Sequence, residues 1–140
     1  MDIFYGVLVI LFAHYMADFI FQPHSIALAK AESVVALSIH IVVYTLIFFI
    51  LFCLYGVILN EFFTFTITMK HWIQMGIGIS IVNGIVHYFI DYVTSKINKY
   101  FWNAAQFRNF FMMIGLDQFL HLSILVFSYA QMLQNFNYIK

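Results

Sequence analysis

Four stretches of this chain, at about 3–21, 34–59, 72–95 and 110–134, run almost without charge for the length a helix needs to cross a bilayer. The hydrocarbon core is about 30 Å thick, so a span takes about 20 residues at 1.5 Å each. No other feature constrains the fold as tightly. Inside lipid every backbone N–H and C=O must find its partner within the structure, and a single apolar segment does this only as a helix. The expected fold class is therefore all-α: a polytopic four-transmembrane-helix bundle with short interfacial segments, in one domain over residues 1–140.

Composition excludes the soluble alternative. The chain is 64% hydrophobic and 9% charged, with mean hydropathy +0.94, whereas soluble domains carry roughly a quarter charged residues. Six Lys/Arg balance six Asp/Glu, which leaves no basic field for nucleic acid, and none is expected as a partner. The lone Cys53 sits in an apolar run and reads as a small hydrophobe. Met1-Asp2-Ile3 enters apolar sequence without a positively charged leader, so the first span is expected to stay in the mature protein.

The connections are set by the breaks. Pro23 lacks an N–H and biases Gln22 away from helical geometry, which stops the first span. Residues 24–33 are too short to cross and read as an interfacial turn or short helix. Residues 60–71 form a compact connection. Residues 96–109 mix Lys96, Lys99 and Arg108 with Tyr100, Phe101 and Trp102, as headgroup-level segments do. Lys30, Lys96, Lys99 and Arg108 stand at one end of a four-span arrangement, Lys70 and Lys140 at the other. The positive-inside rule then places the protein in the cell's inner membrane with both termini outside the cytoplasm. Gly76, Ser80 and Gly84 make a small-residue stripe for close helix packing. So few spans also leave room for a homo-oligomer or a membrane partner.

Against this background the ionisable residues within the spans are costly, about 2.5–3.5 kcal/mol for an aspartate at the centre. They are His14 and Asp18, His40, His87 and Asp91, and Asp117 and His121. Three of these sets are i,i+4 pairs, each on one helix face. Alternate spans run in opposite directions, so all seven fall in the half of the bilayer next to the 22–33 and 96–109 connections. The segment His14-Tyr15-Met16-Ala17-Asp18-Phe19 is also echoed by His87-Tyr88-Phe89-Ile90-Asp91-Tyr92, as in a repeated hairpin. Imidazole with carboxylate suits Zn, Mn or Fe, and seven groups on four helices suffice for one or two divalent ions.

The same residues carry a resemblance. His14 to Gln22, Ala29-Lys30, His40 with Val43-Tyr44-Thr45, His87 to Asp91 and Asp117-Gln118-Phe119-Leu120-His121 resemble, in order and spacing, the family of small bacterial and phage membrane proteins known as domain of unknown function 3307. The resemblance implies that Gln22, Lys30 and Gln118 belong to the pattern with the His and Asp positions.

The leading expectation is a membrane-embedded metal-dependent hydrolase acting on a lipid-linked or membrane-delivered substrate. His14, Asp18, His40, His87, Asp91, Asp117 and His121 would hold the metal, and Asp18 or Asp117 would act as general base. Lys30 and Arg108 would hold an anionic headgroup, with Gln22, Asn83 and Gln118 lining the substrate site. The rivals are a transporter or channel for divalent cations or protons, and a non-catalytic adaptor whose His–Asp pairs glue helices together.

Overall fold

The computed structural model describes residues 3–62 and 67–137. Met1, Asp2 and Lys140, on which the leader and part of the charge count rest, and the middle of the 60–71 connection lie outside the described residues. Among the described residues five α-helices succeed one another: α1 Ile3–Tyr15, α2 His24–Ala29, α3 Val34–Phe62, α4 Met69–Asn103 and α5 Phe107–Asn137. The all-α expectation holds. Among the described residues three helices, Val34–Phe62, Met69–Asn103 and Phe107–Gln134, are long and apolar enough to cross a membrane, as a membrane protein requires, while the apolar helix Tyr5–Ile20 is shorter.

The first span departs from the expected uninterrupted helix. After Tyr15 the coil widens into a π-turn over Met16–Ile20, closed by the Phe21 N–H donating to the Met16 carbonyl at 2.9 Å. Such a turn lodges one extra residue in the coil. It forms where Pro23, two residues on, cannot donate to the preceding turn. The extra residue changes the angle between His14 and the positions beyond Ile20, and Asp18 lies inside the widened turn.

The short helix in the 22–33 connection is present as α2, entered through Pro23 in an extended conformation. Ser33 then caps α3, its Oγ accepting from the Ala36 N–H at 3.2 Å. The 96–109 connection is shorter than expected. α4 continues helically to Asn103, with Lys96 stacked 3.4 Å over the Tyr92 ring. Only Ala104, Ala105 and Gln106 turn the chain, the Gln106 N–H reaching back to the Phe101 carbonyl at 2.9 Å. Ala105 takes the left-handed conformation, φ 52°, that closes this type of helix end. At 35 residues α4 is about 52 Å long, well beyond the hydrocarbon thickness.

One seam runs down the middle of the bundle. From α3 it takes His40, Tyr44, Phe48, Phe52, Tyr55 and Leu59, and from α4 Trp72, Ile79, Asn83, His87 and Asp91. α1 adds Ile10, Ala13 and His14, and α5 adds His121, Leu125 and Tyr129. The small-residue stripe packs α4 on α3. A Cβ at Gly84 would run into Thr45 Oγ1, and one at Gly76 would meet the Phe49 ring at 3.1 Å. Outward, the helices present large apolar side chains along their length. In α5 only 11% of the membrane-length window is buried, which suits a lipid surrounding and not water.

Candidate metal centre

The i,i+4 spacing of the seam puts one His or Asp on each turn, and the short α4–α5 turn sets those two helices side by side. His14, Asp18, His40, His87, Asp91 and His121 are all buried, between 1% and 5% exposed. All seven expected ligand residues come together in one layer.

At its centre three ligand-type atoms face one another. Asp18 Oδ1 lies 3.1 Å from His40 Nε2 and 3.4 Å from His87 Nε2, and the two imidazole nitrogens are 3.1 Å apart. Bonds of about 2.0–2.1 Å at tetrahedral angles place ligand atoms about 3.3 Å from one another, so this triangle has the dimensions of one face of a tetrahedral site. Asp18 Oδ1 is also fully buried without a well-directed hydrogen bond among the described residues, despite its two close neighbours. A hydrogen-bonded His–Asp pair aims a proton at an oxygen. Here the two imidazole nitrogens are in hydrogen-bond contact with each other, and both stand close to an oxygen that receives no well-directed bond.

A second group, His87, Asp91 and His121, adjoins the first. Asp91 Oδ1 is 3.2 Å from His121 Nε2, while Asp91 Oδ2 is 3.3 Å from His40 Nε2 and 3.5 Å from His87 Nε2. Asp117 Oδ1 is 3.5 Å from His121 Nε2 and accepts the Thr94 hydroxyl at 2.5 Å. The rings of His87 and His121 stack with centroids 3.9 Å apart.

Neighbours orient the ligands, as outer partners of metal-binding histidines do. Gln22 Nε2 meets His40 Nδ1 at 3.0 Å, and the Tyr44 hydroxyl meets His14 Nδ1 at 3.1 Å. In both cases the ring's Nε2 is left turned inward. Gln118 donates to Asp117 at 3.0 Å and to Asp18 at 3.4 Å. Lys30, carried by the end of α2, donates to Asp91 Oδ2 at 2.7 Å. Burial alone would lower the pKa of its ammonium, but the carboxylates of Asp91 and Asp18 more than offset this and hold it above the ordinary lysine value.

Three expectations meet a different geometry. His14 belongs to neither ligand triad; its Nε2 lies 3.8 Å from Asp18 Oδ2. Asn83 turns its amide back onto its own helix, donating to the Ile79 carbonyl at 2.8 Å, and lies outside the ligand layer. Arg108 is exposed at the start of α5. Tyr44 and Thr94 act in the layer although the sequence reading gives them no role. Both stand on the faces already marked, four residues after His40 and three after Asp91, and that spacing is the available signal.

No curated protein and no solved structure gives a significant match to this chain. A family model described as a protein of unknown function, DUF3307, matches residues 7–140, which takes in every residue of the layer. By that match over nearly its whole length, the chain belongs to the DUF3307 family.

Proposed function

We propose that this chain is a four-span membrane protein whose His/Asp layer binds a divalent metal ion and hydrolyses a membrane-delivered substrate. The observation that carries the reading is the Asp18–His40–His87 triangle, with edges of 3.1–3.4 Å and a buried carboxylate oxygen that lacks a well-directed hydrogen bond among the described residues. Asp18, His40 and His87 would hold the ion with Asp91 Oδ2, 3.3 Å from His40 Nε2, as a fourth neighbour, and water or substrate would enter by expansion to five-coordination, as at catalytic zinc sites. A bound ion would supply a water of lowered pKa and stabilise charge at the reacting centre. Asp18 would offer Oδ1 to such an ion, with Oδ2 left to take a proton.

The first apolar segment supports the four-span reading because His14 on α1 and Asp18 in the π-turn after it meet ligands carried by the membrane-length helices. The cation-rich end that holds the 22–33 connection is then cytoplasmic and the termini are not. Labelling of single cysteines placed near each terminus from the outer side tests this; protection of both termini would reverse it.

The seam also argues against a transit pathway. Beyond the layer it is filled by Phe48, Phe52, Trp72, Leu125 and Tyr129, each at most 2% exposed. An ion entering from the layer's end meets a wall of aromatic side chains, whereas a transport route needs polar groups reachable from both faces.

Elemental analysis of the detergent-purified protein is the first test. Bound zinc, manganese or iron is expected at one equivalent or more, with His87→Ala reducing it and abolishing chelator-sensitive hydrolysis of membrane lipids. A parent protein that holds none of these metals after loading would overturn the proposal.

A further inference from the structure

The layer holds more ligand groups than one tetrahedral ion uses. An imidazole nitrogen ligates one ion, so with His87 Nε2 committed to the Asp18–His40–His87 face, three groups are left over. They are Asp91 Oδ1, His121 Nε2 at 3.2 Å from it, and Asp117 Oδ1 at 3.5 Å from the same nitrogen. Asp91 looks both ways. Its Oδ2 lies toward His40 and His87 and its Oδ1 toward His121. A carboxylate with one oxygen toward each of two neighbouring ligand sets is placed to bridge two ions, the arrangement that clamps both oxygens of a displacement at phosphorus.

Charge decides what such a centre would accept. The layer contains the carboxylates of Asp18, Asp91 and Asp117 against one ammonium, Lys30, which leaves two negative charges when the imidazoles are neutral. One divalent ion cancels them. A second leaves two positive charges inside a layer walled by apolar helices, where uncompensated charge is costly. A phosphate monoester dianion closes that balance, and so does a phosphodiester together with a hydroxide. Lys30 stands where an incoming anion would meet it: its side chain is 19% exposed, against 2% for Asp91, and it is already 2.7 Å from the bridging carboxylate.

We infer that the layer is a two-ion centre, bridged by Asp91, that takes the phosphate group of a membrane lipid. This rests on the metal-dependent reading above and adds a second ion, on Asp91, Asp117 and His121, and a substrate class. In the hydrolysis it implies, a bond forms from the water oxygen to phosphorus as the bond from phosphorus to the leaving alcohol oxygen breaks. The proton released by the water ends on that alcohol oxygen.

The test counts ions in the full chain. Detergent-purified protein loaded with zinc or manganese and freed of excess is expected to hold two ions per chain by elemental analysis. Asp117→Asn and His121→Gln should each hold one, and His40→Gln should also hold one. Circular dichroism of each variant confirms the helical fold, and the two substitutions at the second site guard against misfolding of either alone. Inorganic phosphate and vesicles of phosphatidylcholine with and without phosphatidic acid are the ligand probes. The two-ion protein should bind phosphatidic acid vesicles at least tenfold tighter than phosphatidylcholine alone, and Asp117→Asn should lose that preference. Inorganic phosphate bound equally well, with no preference among vesicles, would overturn the lipid source. One ion in the parent protein, unchanged by Asp117→Asn, would overturn the second site while leaving the metal-dependent reading intact. No ion at all would overturn both.

Discussion

The two halves of the seam share a backbone plan and differ in what fills it. Along α3 the inward positions recur about every fourth residue, and the same stripe reads His40 and Tyr44 at one end and Phe48, Phe52 and Tyr55 at the other. On α4 it runs from Trp72 to His87 and Asp91, and on α5 from His121 to Leu125 and Tyr129. The aromatic half is ordinary core, stabilised by burial and ring packing such as Phe52 on Trp72. The polar half is as well buried, and although unmatched polar atoms occur in both halves, with Tyr129 Oη in the aromatic one, those of the polar half, His14 Nε2, Asp18 Oδ1 and His87 Nδ1, gather among groups able to ligate an ion. That gathering marks the polar half as built for something the helices themselves do not supply.

Substitutions that strike one half and spare the other test this division. The largest effect is expected from Trp72→Ala, which removes a ring packed on Phe52 and Tyr55 and should cost about 3–5 kcal/mol of stability. Thermal unfolding in detergent measures it, and metal content per folded chain should not change. A parallel loss of metal would mean that the halves are one unit. Next comes Asp91→Ala, which strands the Lys30 ammonium and three imidazoles. It should cost about 3 kcal/mol in metal-free protein and remove most bound metal, by the same two measurements. If it stabilised the metal-free protein, the ion pair would be no part of what holds α2 down.

Gly84 stands at the border between the halves. Gly84→Ala should cost about 1–3 kcal/mol by forcing α4 away from Thr45, and should weaken metal retention as well, since His87 is less than one turn on. Stability lost with metal retention intact would place the border closer to the layer. The smallest effect is expected at Ala105, whose left-handed backbone suits glycine. Ala105→Gly should raise stability by about 0.5–1 kcal/mol with no change in metal content. A loss of stability there would show that the α4–α5 turn is held by its side chain.

Much of this division is legible in the sequence, because helical periodicity and the alternation of span direction together fix both face and depth. Those two grounds assign His14, Asp18, His40, His87, Asp91, Asp117 and His121 to one layer, and they meet there. What escapes depends on finer geometry. The π-turn around Asp18 adds one residue without any compositional mark, so nothing in Met16–Ile20 announces it. The overhang of α4 reads as a connection because an amphipathic helix end and a headgroup-level loop draw on the same lysines and aromatics. Arg108 and Asn83 share the right end or the right helix with the layer but not its inward direction, which charge and sequence position alone do not specify.

The three-residue turn at Ala104–Gln106 bears on the order in which the protein acquires its shape. Thr94 and Asp117, which it brings together, are 23 positions apart, and Asp91 and His121 are 30 apart, whereas Asp18 and Gln118 are separated by 100. Closing a short loop loses less entropy and happens sooner than closing a long one. The α4–α5 hairpin thus arranges its own carboxylates and imidazole through contacts that close short loops, whereas those with the first segment close the longest ones.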